Sequence, residues 1–143
     1  MTKTTDATAI TAWARLIRAQ KTALEGVEAD LKKNGFPPLV WYDVLLELEC
    51  TGKGRLRHGD LNAELLLPKH NLSRLIDRME KQALVSREAC EDDRRGAFVC
   101  ITQKGRKLRK KMWPAYEAAI ARHFANRFAA DEIKVLAQLL ARI

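Results

Sequence analysis

KHNLSRLIDRMEKQALVSREACEDDRRGAFVCIT, residues 69–102, changes its hydrophobic period part-way along, and that change decides the fold. In its first half Leu72, Leu75, Ile76 and Met79 follow the i, i+3, i+4, i+7 spacing that gathers apolar side chains on one face of a helix. The rest of that helix surface carries His70, Asn71, Ser73, Arg74, Asp77, Arg78 and Lys81, all polar and able to hydrogen-bond. Further on the period drops to two. Val99 and Ile101 alternate with Phe98 and Cys100, and the charged segment EDDRRG joins residues 85–90 to residues 97–102. The expectation is a helix over 69–83 followed by a β-hairpin whose tip is charged, with Gly96 allowing its turn.

Working outward, residues 8–33 place Ile10, Trp13, Ile17, Leu24, Val27 and Leu31 on one stripe of a long amphipathic helix. NGFPP ends it, because Gly35 can supply the positive φ of a C-terminal cap and Pro37-Pro38 cannot continue it. A second helix is expected from Pro38 to Cys50, then a turn at TGKG, residues 51–54, then a short helix marked by Leu61, Leu65 and Leu66 before Pro68. Thr102 is placed to cap a further helix with its hydroxyl. From there the chain reads as helical to its end, with an interruption or a first-turn proline at Pro114 and a break near Ala129-Ala130. The last helix carries Ile133, Leu136, Leu140 and Ile143 on one side. Together with the first helix this is more apolar surface than a small central module covers, and the surplus points to a homodimer.

The chain has 143 residues, which suits one domain, and a net charge of +8. Residues 53–111 hold 16 Lys and Arg against 8 Asp and Glu, while the remainder holds 10 of each, so the whole excess sits in the middle. A basic centre between neutral ends fits a polyanion-binding module or a solvated basic face. No run of about 18 apolar residues occurs, and MTKTTDATAI has neither the apolar core nor the basic flank of a signal peptide, so a cytoplasmic protein without membrane contact is expected. Cys50, Cys90 and Cys100 lack CxxC spacing and sit beside acids or in a strand, settings that oppose a sensor thiolate. His58, His70 and His123 show no ligand spacing, so no metal is expected, and no cofactor motif is present. GxSxG, HExxH, P-loop and dinucleotide glycine patterns are absent too, and acids 91–93 on an exposed tip would stay fully ionised. No catalytic residue is assigned, and the chain is read as a non-enzyme.

Helix, tight turn, helix and then a two-stranded hairpin is the order of a winged helix-turn-helix, in which the second helix of the pair presents its outer face to the major groove of double-stranded DNA. Asn71, Ser73 and Arg74 suit base-edge readout, Lys69 and Ser73 can serve bases or phosphates, Arg78 a phosphate, and His70 shares the same face. At the tip, Arg94 and Arg95 are expected to face DNA, with Asp93 expected to hold one guanidinium in place by a charge-assisted hydrogen bond.

LSRLIDRMEKQALVSR and DDRRGAFVCITQKG, within residues 72–105, resemble the MarR family of bacterial winged-helix transcription regulators, which usually has LT..G where this chain has IT..G. LVWYDVLLELE, residues 39–49, resembles the second helix of that family, and the two ends resemble its dimerisation helices more loosely. The resemblance implies a mainly α protein with a small β-hairpin wing. A winged helix-turn-helix lobe, residues 36–112, would be flanked by helical dimerisation segments, residues 8–34 and 113–143, in a single domain. It further implies a symmetric dimer on a pseudo-palindromic operator, repression, and relief by a small aromatic or phenolic effector or by an oxidant. Arg95 matches the family's wing arginine. Pro68 and Ala83 depart from the pattern, the latter standing where glycine is usual. An effector pocket is expected between the first two helices, the long fifth helix and the DNA-binding lobe, where Trp13, Trp41, Tyr42, Trp113 and Tyr116 could converge with Arg15 or Arg18 available for a carboxylate. A protein-interaction adaptor on the same scaffold and a nonspecific architectural DNA binder are the competing readings.

Overall fold

The computed structural model describes residues 5–66, 71–89 and 97–143. Its elements run α1 (Ala7–Lys33), α2 (Leu39–Cys50), β1 (Arg55–Arg57), α3 (His58–Glu64), α4 (Leu72–Lys81), β2 (Val85–Glu88), β3 (Phe98–Ile101), α5 (Gln103–His123) and α6 (Ala130–Leu140). The three strands form one antiparallel sheet in the order β1-β3-β2. Val85 pairs with Ile101, and Glu88 with Phe98.

Helix ends follow local chemistry. Asp6 caps α1 by accepting the Ala9 N–H at 2.7 Å. At the other end Gly35, at φ 76°, lets its own N–H reach the Lys32 carbonyl and that of Phe36 reach the Leu31 carbonyl. Pro38 precedes α2, whose first N–H, on Leu39, donates to Glu28 Oε1 of α1 at 2.7 Å. One acid thereby caps α2 and ties it to α1.

The same closing geometry recurs at the end of α4, but with alanine in the strained position. Ala83 has φ 60°, its N–H donates to Glu80, and the Leu84 N–H donates to Met79. An L-residue there costs about 1–2 kcal/mol through its Cβ. Thr102 holds the segment from the other side. Its hydroxyl donates toward the carbonyls of Ala83 and Leu84, at 2.6 and 3.0 Å, and accepts the Gly105 N–H that begins α5. A Cβ on Gly105 would lie 2.3 Å from the Leu84 carbonyl oxygen. The T..G spacing of ITQKG is thus a cap plus a close approach of α5 to the chain leaving α4.

Two apolar clusters result. One joins α2, α3, α4 and the sheet through Val44, Leu45, Leu48, Leu61, Ile76 and Val99, and fully burying such side chains contributes about 1.5–3 kcal/mol each. The second joins α1, α2 and α5 through Val27, Leu31, Leu39, Tyr42, Met112 and Ala119. At the α1–α5 contact His123 packs where a Cβ on Gly26 would stand, and its Nε2 lies 2.9 Å from Asp30 Oδ2.

Three expectations are corrected. Strand β1 falls where the sequence suggests only a turn and then a helix; three residues are too few to show a period, and pairing to β3 creates the strand. Pro114 neither interrupts α5 nor begins a helix but sits inside it. The lost N–H and ring clash cost about 3 kcal/mol, and burial of Met112 and Ala119 on either side holds the helix through that point. The break expected near Ala129-Ala130 is present, since Ala129 is the N-cap residue of α6 and a 3-10 turn at Ala125–Arg127 separates that helix from α5. Leu66, read as part of the short-helix pattern, lies beyond α3 and is 78% exposed.

Candidate functional site

Helix α4 buries Leu72, Leu75, Ile76 and Met79 and turns Asn71, Ser73, Arg74, Arg78 and Lys81 to solvent. The two acids on the exposed part of this helix are already engaged. Arg87 of β2 reaches Asp77 Oδ1 at 2.7 Å and Glu80 Oε1 at 3.2 Å, donates its backbone N–H to Glu80 Oε2, and sends a second guanidinium N–H to the Ser73 carbonyl. At these exposures each pair contributes at most about 1 kcal/mol to stability. The larger consequence is electrostatic: Arg87 engages both acids and offsets one of their two charges, and with Arg74, Arg78 and Lys81 it leaves the face positive. Sequence reading missed Arg87, because a strand residue gives no period that points to a helix 7–14 positions upstream.

Asn71 has a second task. Its Oδ1 accepts the Arg74 N–H at 3.2 Å and caps α4, which leaves the side-chain NH2 to donate outward. Ser73 Oγ lies 3.4 Å from His58 Nε2 on α3. Beside α3 and α4, Arg55 and Arg57 of β1 place their guanidinium carbons 4.4 and 5.4 Å from the Phe98 ring centre, and Arg55 also pairs with Glu88 at 3.2 Å. Both arginines add to the basic surface and escaped sequence analysis along with their strand. Lys69, His70, Asp93, Arg94 and Arg95, with Pro68 and Cys90, lie outside the described residues.

A cavity of about 400 Å³ opens between α1, α2 and α5, lined by Gln20, Leu24, Tyr42, Asp43, Trp113, Tyr116 and further apolar side chains. Tyr42 and Trp113 are nearly parallel, with ring centres 6.3 Å apart and planes 22° from each other. Tyr116 stands edge-on to both, at 5.0 and 5.8 Å. Burial first, then the charges of Asp43, Tyr42 and Glu28, push the Tyr116 hydroxyl above its ordinary pKa, so it remains a donor. Asp43 is buried and accepts the Leu66 N–H at 2.9 Å.

Only part of the expected aromatic group converges. Trp41 faces the lobe core, not the cavity, because adjacent helical residues differ by about 100° and Tyr42 takes the cavity side. Trp13 is 65% exposed, two turns before the α1 wall of the cavity. Arg15 and Arg18 line a separate depression with His123, Phe124 and Phe128. Cys50 is exposed, whereas Cys100 is half-buried and its thiol is pushed up by burial and by Glu88. Among the described residues no group of three or more His, Cys, Asp or Glu is placed to hold a metal ion, and no helix is long and apolar enough to cross a membrane.

This architecture has solved counterparts. AbsC, a MarR family transcriptional regulator from Streptomyces coelicolor, is 32% identical and superposes with a TM-score of 0.81 over 97% of this chain and 93% of its own. The chain belongs to the MarR family. The MarR family sequence profile matches residues 34–96. YkoM, an HTH-type transcriptional regulator of Bacillus subtilis, is 31% identical over 125 residues, which is 87% of this chain and 79% of YkoM. Sco3205, a MarR family regulator from Streptomyces coelicolor solved in complex with DNA, shares the fold with a TM-score of 0.84 at 24% identity, over 99% of this chain and 88% of its own. MarR family proteins are DNA-binding transcriptional regulators and not enzymes. The lobe carrying α4 and the β2–β3 hairpin is the winged helix of this MarR protein.

Proposed function

We propose that this protein is a cytoplasmic, homodimeric, ligand-responsive repressor, binding a pseudo-palindromic operator with α4 in the major groove and the β2–β3 hairpin at the neighbouring minor groove. The observation that carries the reading is the exposed face of α4: Ser73, Arg74, Arg78 and Lys81 point outward while Arg87 engages both Asp77 and Glu80. Ser73 and Arg74 read base edges, Asn71 contributes its free NH2, and Arg78 meets a phosphate. To these DNA contacts the reading adds Lys69, His70, Arg94 and Arg95, with Asp93 as the proposed wing-orienting residue. Arg55 and Arg57 add phosphate contacts.

The dimer reading rests on surface that the monomer leaves uncovered. Residues 7–22 of α1 are exposed throughout, and no residue of α6 is buried. Ile10, Trp13, Ile17, Val135, Leu139 and Leu140 are all more than 40% exposed. A second copy packed about a two-fold axis would cover this face and space two α4 helices for two half-sites. The cavity touches α1 and α5, which lead to that face, and α2, which backs the winged lobe. An aromatic occupant there would bias the spacing of the two recognition helices.

A gel shift with the intergenic DNA beside the gene, titrated with salt, tests the reading. Specific retardation that weakens steeply as salt rises is expected, and no specific retardation at low salt would refute it. Equal retardation of unrelated duplexes would favour an architectural role. Arg95→Ala is expected to weaken operator binding with the melting temperature nearly unchanged, and unaltered binding would remove the wing from the interface.

A further inference from the structure

We propose that two copies of this chain lock together by reciprocal charge, the first turn of α6 of one copy seating Asp131 and Glu132 in the arginine depression between α1 and the end of α5 of the other. This deepens the homodimer reading given above and rests on it.

The uncovered face is divided by charge. From Ala7 to Leu24 the first helix carries Arg15, Arg18 and Lys21 and no acid. Arg15 and Arg18 line a depression together with His123, Phe124, Arg127 and Phe128, and no acid is among its described lining residues. Asp30, which reaches His123, is engaged by Arg122 at 3.2 Å. Arg15, Arg18 and Arg127 are all exposed, and the rings of Phe124 and Phe128, with centres 5.6 Å apart, are open to solvent beside them.

The acids lie on the adjoining part of the same face. Asp131 and Glu132 open α6 and line a second depression with Val135 and Leu139, and Phe128 is the wall common to both. Helix α6 has these two acids against Lys134 alone. Glu132 uses Oε1 to accept the Ala129 N–H at 2.8 Å, which leaves Oε2 for a partner. Two carboxylates outweigh the roughly half positive charge at the start of a helix.

A two-fold axis can cover this face in two ways. If α1 met its own copy, Arg15, Arg18 and Lys21 of the two chains would face one another, and like charges brought together at an interface are costly. If α1 meets the partner's α6, each depression receives two carboxylates, once on either side of the axis, and the guanidinium groups match them in charge and in shape. Val135 and Leu139 then come to cover Phe124 and Phe128. The second arrangement satisfies charge and apolar surface together.

The test measures dimer dissociation constants of the full chain by sedimentation equilibrium. The wild-type dimer is expected to weaken about tenfold as salt rises from about 50 to about 500 mM, since partly exposed pairs are screened. Two reversed variants follow. Arg15→Glu with Arg18→Glu makes the depression acidic, and Asp131→Lys with Glu132→Gln makes the first turn of α6 basic while the glutamine keeps the cap. Each alone should weaken its own dimer at least about tenfold, and an equimolar mixture should form a heterodimer at least about tenfold tighter than either, because both of its contacts are complementary again. A mixture no tighter than the separate variants overturns the proposal. Variants that dimerise as the wild type does also overturn it and leave the dimer reading standing, whereas a wild type that stays monomeric at tens of micromolar removes that reading and the proposal with it. Should a variant lose its helical circular dichroism signal, the salt series in the wild type decides, and an unchanged constant overturns the proposal.

Discussion

The winged lobe and the terminal helices of this chain satisfy their hydrophobic surface in opposite ways. In the lobe, Leu45, Leu48, Leu61, Ile76 and Met79 are wholly buried, and α2, α3, α4 and the sheet close around them. In α6 nothing is buried, and the first four turns of α1 are exposed although Ile10, Trp13 and Ile17 line them. An amphipathic stripe therefore states only that a face needs cover; whether the cover comes from the same chain is a separate matter. The lobe finds its cover locally because tight turns bring its short elements together. The end helices project beyond the chain's own core.

If that contrast is right, charge placed on the uncovered face should act on assembly and leave the lobe intact. Val135→Asp combined with Leu139→Asp is expected to convert a dimer to a monomer by light scattering and to lower operator affinity at least about a hundredfold, because half-site energies no longer add. A wild-type protein that is already monomeric would break the comparison outright. Within the lobe the expected response is a loss of stability: Met79→Ala should cost about 2–5 kcal/mol in urea unfolding, a wholly buried side chain being lost from a closed core. A cost near zero would mean that the lobe core is not closed. Gly105→Ala should cost about 1–3 kcal/mol, since its Cβ meets a backbone oxygen that cannot rotate away. The smallest effect has the opposite sign. Ala83→Gly should stabilise by about 1 kcal/mol by relieving the positive φ, and a lower melting temperature would contradict the strained cap.

Much of this was legible beforehand. The period change within residues 69–102 announced the recognition helix and the hairpin, and the Leu72, Leu75, Ile76, Met79 face is the buried one. Strand β1 and the Arg87 tie to Asp77 and Glu80 were not legible, because each depends on a partner brought near by folding, whereas the Asn71 cap is a local contact with Arg74 that the reading of Asn71 as a base reader passed over. In the cavity the sequence offered five aromatics and two arginines. Only Tyr42, Trp113 and Tyr116 meet, and the arginines face elsewhere.

The sequence by itself determined the long helices, the helix-to-hairpin change within residues 69–102, the cap at Thr102 and the turn at Gly35, which family the LSRLIDRMEK and ITQKG segments resemble, and that the positive charge gathers in the middle. These are properties of neighbours along the chain, governed by side-chain period, backbone preference and composition. Only the tertiary structure decided that Tyr42 rather than Trp41 faces the cavity, that Asp43 is among the residues lining it, and that Arg87 engages both acids of α4. Those depend on helix rotation and packing between segments far apart in sequence, which a period along one helix does not encode.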